Sequence, residues 1–600
     1  MRKPHTIWRI RAIIAMNPVR ISLDTAYAAL HPQARPRYDA IWSPIVVAIP
    51  PTFAVRDLCR TADGELRHYG WRTDGDGRRR AYISSRDALN WTMHDAAEND
   101  AGAMVRSPYG GGWVSLANRD GELCAIRSRI GPGDTKAEVS PLGWRNLEVR
   151  QLLAMKSRRC WIACLNDVSC PGDECYHSVV ALSDDDGQFW RRVNVAPVPD
   201  IPRLLPGDRR PRWFSNGCEP TIAECADGSL LLAVRASGRR HFLYRSADGG
   251  ETWGAAEETP AFYATNTMPY FFRLSDGRLL FFWNNTSPLP TRDISEYPEA
   301  NAGERTGKWE LAFTNRDALH AAISEDDGRT WIGFREIILN PARNDADFRE
   351  HVNDPAEEHD MSVHQTQALE LDGGKVLLAL GQHTASRRLV VFDPQWLYET
   401  DRSEDFRTGL GNVSNHLYVR SLSGGWRGWA GHCAWNRLPG ALLVRDPDTG
   451  PDTVRDVLQL CRIHDERLVS DRQGVVWNFP AGLTGRLEVE CRIDGEGFQL
   501  ALCDHWINPC DETVAGKAAL AIPVTAETLG GSGKWTTLTL VWNWKDGKAM
   551  LACGGLSRML ELRTGGLSPF GPSYLHLQTL ARDTDSKGAY FRAFRKTARR

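Results

Sequence analysis

SADGGETWG, residues 246–254, gathers a Ser, an Asp, three glycines, a Thr and a Trp into one short segment. Asp and Ser side chains bond to nearby backbone groups, and Gly supplies backbone angles that other residues avoid, so the segment reads as a turn. Trp253 adds a large apolar surface that favours burial. A calcium loop would need more carboxylates and a closing Glu. The turn recurs. SEDDGRTW gives Ser324, Asp326, Gly328, Thr330 and Trp331, and SDDDGQFW gives Ser183, Asp185, Gly187 and Trp190, with Phe189 in the Thr place. SSRDALNW, ending at Trp91, reads as a decayed copy with Arg86 where the Asp belongs.

A second signal accompanies the first. ADGEL (62–66), RDGEL (119–123), ADGSL (226–230), SDGRL (275–279) and LDGGKV (371–376) each sit between short apolar runs. Asp-Gly in that setting is a strong hairpin signal. Each unit is therefore a hairpin, a third strand and then the Ser-Asp-Gly-Trp turn, which is one four-stranded blade of a β-propeller. Units fall at about 46–95, 98–143, 146–197, 212–262, 265–338 and 360–400, with KSRR (156–159) serving as the turn of the third. The expected fold is all-β: an irregular lead-in over 1–45, a six-bladed propeller over 46–400, a linker over 401–414 and a second domain over 415–600. In that last region the repeat texture gives way to plain alternating strands, as in LEVECRIDGEGFQLALC and KWTTLTLVWNWKDGKAMLACGG, which predict a jelly-roll β-sandwich of the concanavalin type.

Composition narrows the function. Lys and Arg number 73 against 75 Asp and Glu, so neither nucleic acid nor a membrane surface is the expected partner. No run of eighteen apolar residues exists to span a bilayer. The N-terminal stretch MRKPHTIWRIRAIIAMNP has only a broken apolar segment, which makes the cytoplasm the expected location. Cys160, Cys164, Cys170 and Cys175 cluster loosely at zinc-like spacing, but burial as small apolar side chains is the favoured reading, and no metal or cofactor is expected.

The Ser-x-Asp-x-Gly-x-Thr-Trp turn resembles the Asp box of the sialidase superfamily, also called the BNR repeat, over roughly residues 46–400. The resemblance implies that these turns lie away from the active face and do no chemistry. Candidate site residues come from the opposite ends of the hairpins. Residues equidistant from a turn lie side by side in an antiparallel pair. Counting outward from ADGS (226–229) reaches Glu219 and Arg235; from TADGE, Arg56 and Arg72; from LDGGK, His364 with Gln365 and Gln382 with His383. In the third unit the count reaches Arg150, Asn166 and Asp167. Charged groups converging on one mouth of a propeller form a site hypothesis.

The resemblance sharpens it. Sialidases hold a substrate carboxylate with three arginines, and a Glu precedes the second by about one hairpin, as Glu219 precedes Arg235. The third arginine begins an Arg-x-x-Leu eight residues before an Asp-box Ser, as Arg316 does in RDALHAAIS. Arg56 stands near the place of the first, without the usual Arg-Ile-Pro, and WRTDGDGRRR offers Asp74 and Asp76 for the acid/base Asp. One departure is plain: where the family has a Tyr nucleophile the chain reads MSVHQTQALEL, with His364 or Gln365 instead. The candidate catalytic residues are thus Glu219, Asp74, Asp76 and His364, and the candidate substrate-binding residues Arg56, Arg235, Arg316 and His383. The implied partner is an acidic carbohydrate. Three functions compete: a sialidase-like glycosidase on a terminal acidic sugar, a lyase or other His-dependent enzyme on uronic-acid glycans, and a carbohydrate-binding protein without catalysis.

Overall fold

A computed structural model describes residues 38–50, 57–74, 77–169, 177–199, 216–236, 239–264, 267–287, 316–339, 363–381, 386–419, 436–439, 441–450, 455–462 and 473–598. The chain is all-β, and its first part is built of four-stranded antiparallel sheets. Among the described residues there are six such sheets. The first runs Leu58–Arg60, Leu66–Asp74, Gly77–Ser85, Thr92–Asp95, and the second Val105–Arg106, Trp113–Arg119, Glu122–Ser128, Glu138–Arg145. The third runs Leu147–Ala154, Trp161–Asp167, His177–Ser183, Arg191–Asn194, and the fourth Asn216–Glu224, Leu230–Ala236, Arg240–Ser246, Glu257–Tyr263. The fifth runs Tyr270–Arg273, Leu279–Trp283, Ala318–Ser324, Ile332–Leu339. The sixth takes three consecutive strands, Gln367–Glu370, Val376–Leu380 and Arg388–Phe392, and completes itself with Ile45–Ala48 from the start of the chain. The opening strand therefore belongs to the last sheet rather than the first, and it ties the start of the chain to the sixth sheet.

Neighbouring sheets bury apolar faces against each other. Strand alternation sends Leu378, Leu380, Val390 and Phe392 toward the fifth sheet, where they meet Leu280, Phe282 and Leu319. The intervening Leu377, Ala379, Leu389 and Val391 meet Leu58, Leu66 and Ile83 of the first. Cys160 and Cys164 are buried in the core between the third and fourth sheets, where desolvation pushes both thiols up; Cys170 and Cys175 lie outside the described residues.

The repeated turn is the same device each time. Ser246 Oγ donates to Asp248 Oδ1 at 2.8 Å and accepts from Gly250 N at 2.9 Å, while Asp248 accepts from Thr252 N and Thr252 Oγ1 at 3.0 and 2.5 Å. Ser324, Asp326, Gly328 and Thr330 repeat all four bonds, and Trp331 Nε1 closes the turn on the Gly328 carbonyl at 3.0 Å. The copy ending at Trp91 has its Asp after all. Ser85 Oγ donates to Asp87 Oδ1 at 3.0 Å, Asp87 accepts from Leu89 N and Asn90 N, and Trp91 Nε1 reaches the Ala88 carbonyl at 2.9 Å. That copy is one residue shorter, so an alignment on Ser84 puts Arg86 in the wrong place.

Among the described residues the remaining chain forms a two-stranded sheet, His416–Val419 with Asn436–Pro439, and an eight-stranded and a five-stranded sheet, and the inward residues of these last two share one buried cluster that includes Leu458, Val489 and Leu540 from one and Val475, Leu500 and Leu577 from the other. The segment 401–414, expected as a linker, is woven into these sheets: Arg402–Glu404 pairs with Phe594–Lys596, and Val413–Ser414 with Val476–Trp477. This part docks on the fourth and fifth sheets through a buried polar seam. Asn285 N donates to His320 Nδ1 at 3.1 Å, His320 Nε2 donates to the Tyr574 hydroxyl, and that hydroxyl donates to Glu336 Oε1 at 2.8 Å. Burial holds His320 neutral, down to about 3. Nearby, Trp506 N donates to the Asn285 carbonyl at 2.8 Å, and His505 stacks on Tyr263 with ring centroids 3.8 Å apart.

Candidate functional site

In each of these sheets the first hairpin turns at one end, and the opposite, open ends of the third to sixth sheets converge. The two long inner strands there are both irregular. In Leu147–Ala154 the register slips between Val149 and Gln151, which leaves Arg150 bulged. In Asn216–Glu224 it slips between Cys218 and Thr221, so Cys218, not Glu219, stands opposite Arg235. A bulge re-aims a side chain that strict alternation would send into the gap between sheets. Glu219 adopts φ +47° and Gln365 φ +60°, left-handed values that cost roughly 1–3 kcal/mol each in a non-glycine residue and that persist where the surroundings enforce them.

The surroundings are visible. Gln151 Oε1 accepts from Thr221 Oγ1 and Ile222 N at 2.9 and 2.7 Å, and its Nε2 donates to the Phe271 carbonyl at 3.2 Å, so one side chain ties three sheets together. Gln367 does likewise for the sixth and first sheets, bonding Leu58 N and O at 2.9 Å each.

Above this lattice sits Glu219, 3% exposed. Its Oε2 accepts from Arg235 Nη1 at 2.8 Å. Its Oε1 lies 3.1 Å from Arg150 Nη2 and accepts from Gln365 Nε2 at 3.3 Å. Arg150 also donates to Gln365 Oε1 at 3.2 Å and to Glu148 Oε2 at 2.6 Å, and Asn166 supports both acids, accepting from Glu219 N and donating to Glu148 Oε2 at 3.3 Å each. Arg316, before the third strand of the fifth sheet, donates from Nη1 to His364 Nε2 at 3.1 Å. A guanidinium has only donors, so that ring nitrogen carries no proton and neutral His364 holds its proton on Nδ1.

These contacts assign electrostatic states. Burial raises the Glu219 carboxyl, but Arg235 and Arg150 outweigh it and hold the group well below the usual carboxylate range. Glu219 is therefore ionised and clamps two arginines. Four of the sequence candidates thus come together: Glu219, Arg235, Arg316 and His364. Asp74 ends the second strand of the first sheet, paired with Gly77 across the hairpin tip at that sheet's open end. Arg56, Asp76 and His383 lie outside the described residues. Arg150 was reached by counting from the hairpin turn, but Glu148, two residues earlier, was not. Its place on Arg150 and Asn166 depends on the bulge, which nothing in VRQLLAM announces.

Residues 140–343 match the BNR repeat-like domain family. No curated protein matches the chain. Among solved structures, the chain is similar to a protein of unknown function from Dyadobacter fermentans, with 15% identity over 58% of this chain and 97% of that one and a TM-score of 0.36. It is also similar to Trypanosoma rangeli sialidase in complex with 2,3-difluorosialic acid, with 14% identity over 92% of each chain and a TM-score of 0.34.

Proposed function

We propose that this chain is a glycosidase of sialidase-like build that acts on a terminal acidic sugar of a glycan, with the sugar's carboxylate held by Arg235 and Arg316. On this reading the six sheets are the blades of one propeller, and the two C-terminal sheets are a concanavalin-type sandwich that buttresses it. One observation carries the proposal. Arginines from three consecutive sheets come to the open end: Arg150 and Arg235 pair with one deeply buried carboxylate, Glu219, and Arg316 bonds His364 beside it. Planar guanidinium forks suit a carboxylate ligand, and these contacts hold the arginines in place before it arrives. Glu219 positions arginines in this scheme and does not itself carry a proton at neutral pH. Asp74 or Asp76 is the candidate acid, and His364 a hydrogen-bond donor through Nδ1.

A second reading is a glycan-binding protein without turnover. It is favoured by the engagement of both titratable groups at the centre, Glu219 and His364, by arginines. A screen of aryl glycosides, including sialosides and uronides, separates the readings. Release of the aryl alcohol that is lost in Arg316→Ala supports the glycosidase. An unsaturated uronide product would point to elimination instead, and tight binding with no product to the second reading. Failure of every acidic sugar to bind would remove all three.

A further inference from the structure

The sixth sheet brings two consecutive arginines to the open end. Gly381 adopts φ +84°, and a Cβ on it would lie 2.3 Å from the Ser386 carbonyl oxygen, so Gly381 and Ser386 lie close together there. The third strand then starts at once with Arg388, opposite Leu380. Alternation places Arg388 on the face of Val390 and Phe392, toward the fifth sheet. Phe392 touches Phe282 with ring centroids 6.2 Å apart. From that contact Arg388 and Asn284 are reached by moving toward the open end along their own strands, so both stand in the same gap above it. Asn284 Nδ2 donates to the Ala318 carbonyl of its own sheet at 2.7 Å and to the Val363 carbonyl, ahead of the sixth sheet, at 3.1 Å.

Both side chains are buried and incompletely served. Arg388 is 4% exposed, and the one hydrogen bond the structure gives its guanidinium among the described residues runs to its neighbour's carbonyl, Arg387 O, at 2.6 Å. No acid stands within ion-pair distance of it among the described residues. Asn284 is fully buried, and its Oδ1 has no hydrogen-bond partner among the described residues. A buried charge without a counter-charge and a buried carbonyl without a donor are both costly, and native proteins keep such groups where something else completes them. Burial alone draws Arg388 down, to about 10.

We infer that Arg388 is a further ligand-binding residue, which takes a second anionic group of the glycan, a sulfate ester or a second carboxylate, in the gap between the fifth and sixth sheets, with Asn284 Oδ1 accepting from a sugar hydroxyl. This rests on the reading of the arginine cluster as a glycan site. His364, whose carbonyl accepts from Gly381 N at 2.7 Å, connects the two places: its ring contacts Arg316 and its backbone carries the turn before Arg388. A ligand gripped by Arg235 and Arg316 can therefore extend toward the sixth sheet.

The test uses the full chain and three probes in calorimetric titrations: inorganic sulfate, glucuronate, and a pair of uronides bearing either a sulfate ester or a second carboxylate. The parent should bind one of that pair more tightly than glucuronate, and which one identifies the anion. Arg388→Met should abolish the excess and weaken sulfate binding at least ~10-fold, the equivalent of one charge-assisted hydrogen bond, while leaving glucuronate unaffected. Without ligand, Arg388→Met should melt no lower than the parent, because it removes an uncompensated charge. Arg388→Lys retains the charge and should weaken sulfate binding by a smaller factor. If Arg388→Met binds sulfate and the doubly anionic uronide like the parent, or melts lower without ligand, Arg388 is structural and the inference fails. If no sugar binds but sulfate binding still depends on Arg388, the glycan reading fails and the anion site stands.

Discussion

Replacing Glu219 by Gln keeps the size of the side chain and deletes one charge at the point where two arginines meet. At an effective dielectric of about 20, each contact contributes on the order of 5–6 kcal/mol of attraction, against a desolvation penalty of several kcal/mol for each buried ion. The intact cluster is thus near balance, but removing the acid that Arg150 and Arg235 share leaves two neighbouring guanidinium groups with Glu148 alone beside Arg150, and such losses cost about 3–5 kcal/mol. Glu219→Gln should therefore unfold in urea with a stability lower by that amount at pH 7. The pH dependence is fixed in sign. The folded carboxyl titrates below its ordinary value of 4.5, so its stabilising contribution is complete above that pH and is lost progressively as the pH falls toward the depressed value. The gap between parent and variant should accordingly be constant from pH 6 to 8, within about 0.5 kcal/mol, and narrow in acid. A variant within about 1 kcal/mol of the parent at pH 7, or a gap that widens in acid, would refute the assignment of Glu219 as the ionised clamp.

Three further outcomes are expected. Arg235→Lys should weaken binding of an acidic sugar by about 10–100-fold in calorimetry, since an ammonium cannot keep Glu219 and a ligand carboxylate on one planar fork; unchanged affinity would place the ligand elsewhere. Trp331→Ala empties a position that is 4% exposed and should cost about 3–5 kcal/mol in denaturant titrations with sugar affinity unchanged, whereas a loss of affinity at constant stability would contradict a purely structural turn. Tyr574→Phe strands the proton on His320 Nε2 and should lower stability by about 1–3 kcal/mol without altering sugar binding, and a stability equal to the parent's would show that the seam does not depend on that hydroxyl.

The four-stranded units were legible because each carries its own turn chemistry. Ser246, Asp248 and Gly250 act locally, and a local device leaves a local signature. Glu219 and Arg235 were legible for a similar reason, since hairpin register can be counted from Asp-Gly. The count ran one residue wide, because a bulge is enforced by packing across sheets, through Gln151 and Thr221, and has no motif. The strand Ile45–Ala48 and the pairing of Arg402–Glu404 with the C-terminal strand are long-range choices, and nothing in either segment states its partner. Arg388 was hidden by its neighbours: RRLVVF reads as an ordinary strand start until the two faces of the sheet are known to meet different partners.

The strand Ile45–Ala48 also sets an order of events. It leaves the ribosome before any sheet exists, yet its partners, Leu389–Val391, follow only after roughly 340 further residues, a loop whose length alone contributes about 5 kcal/mol of closure entropy. Five sheets can gather while it waits, and the sixth cannot be completed without it. The sixth is also the sheet that leads in with His364 and carries Arg388. Completion of the sixth sheet and maturation of that side of the site are therefore one step, and removing Ile45–Ala48 would act at a distance, on the wall of the site built last.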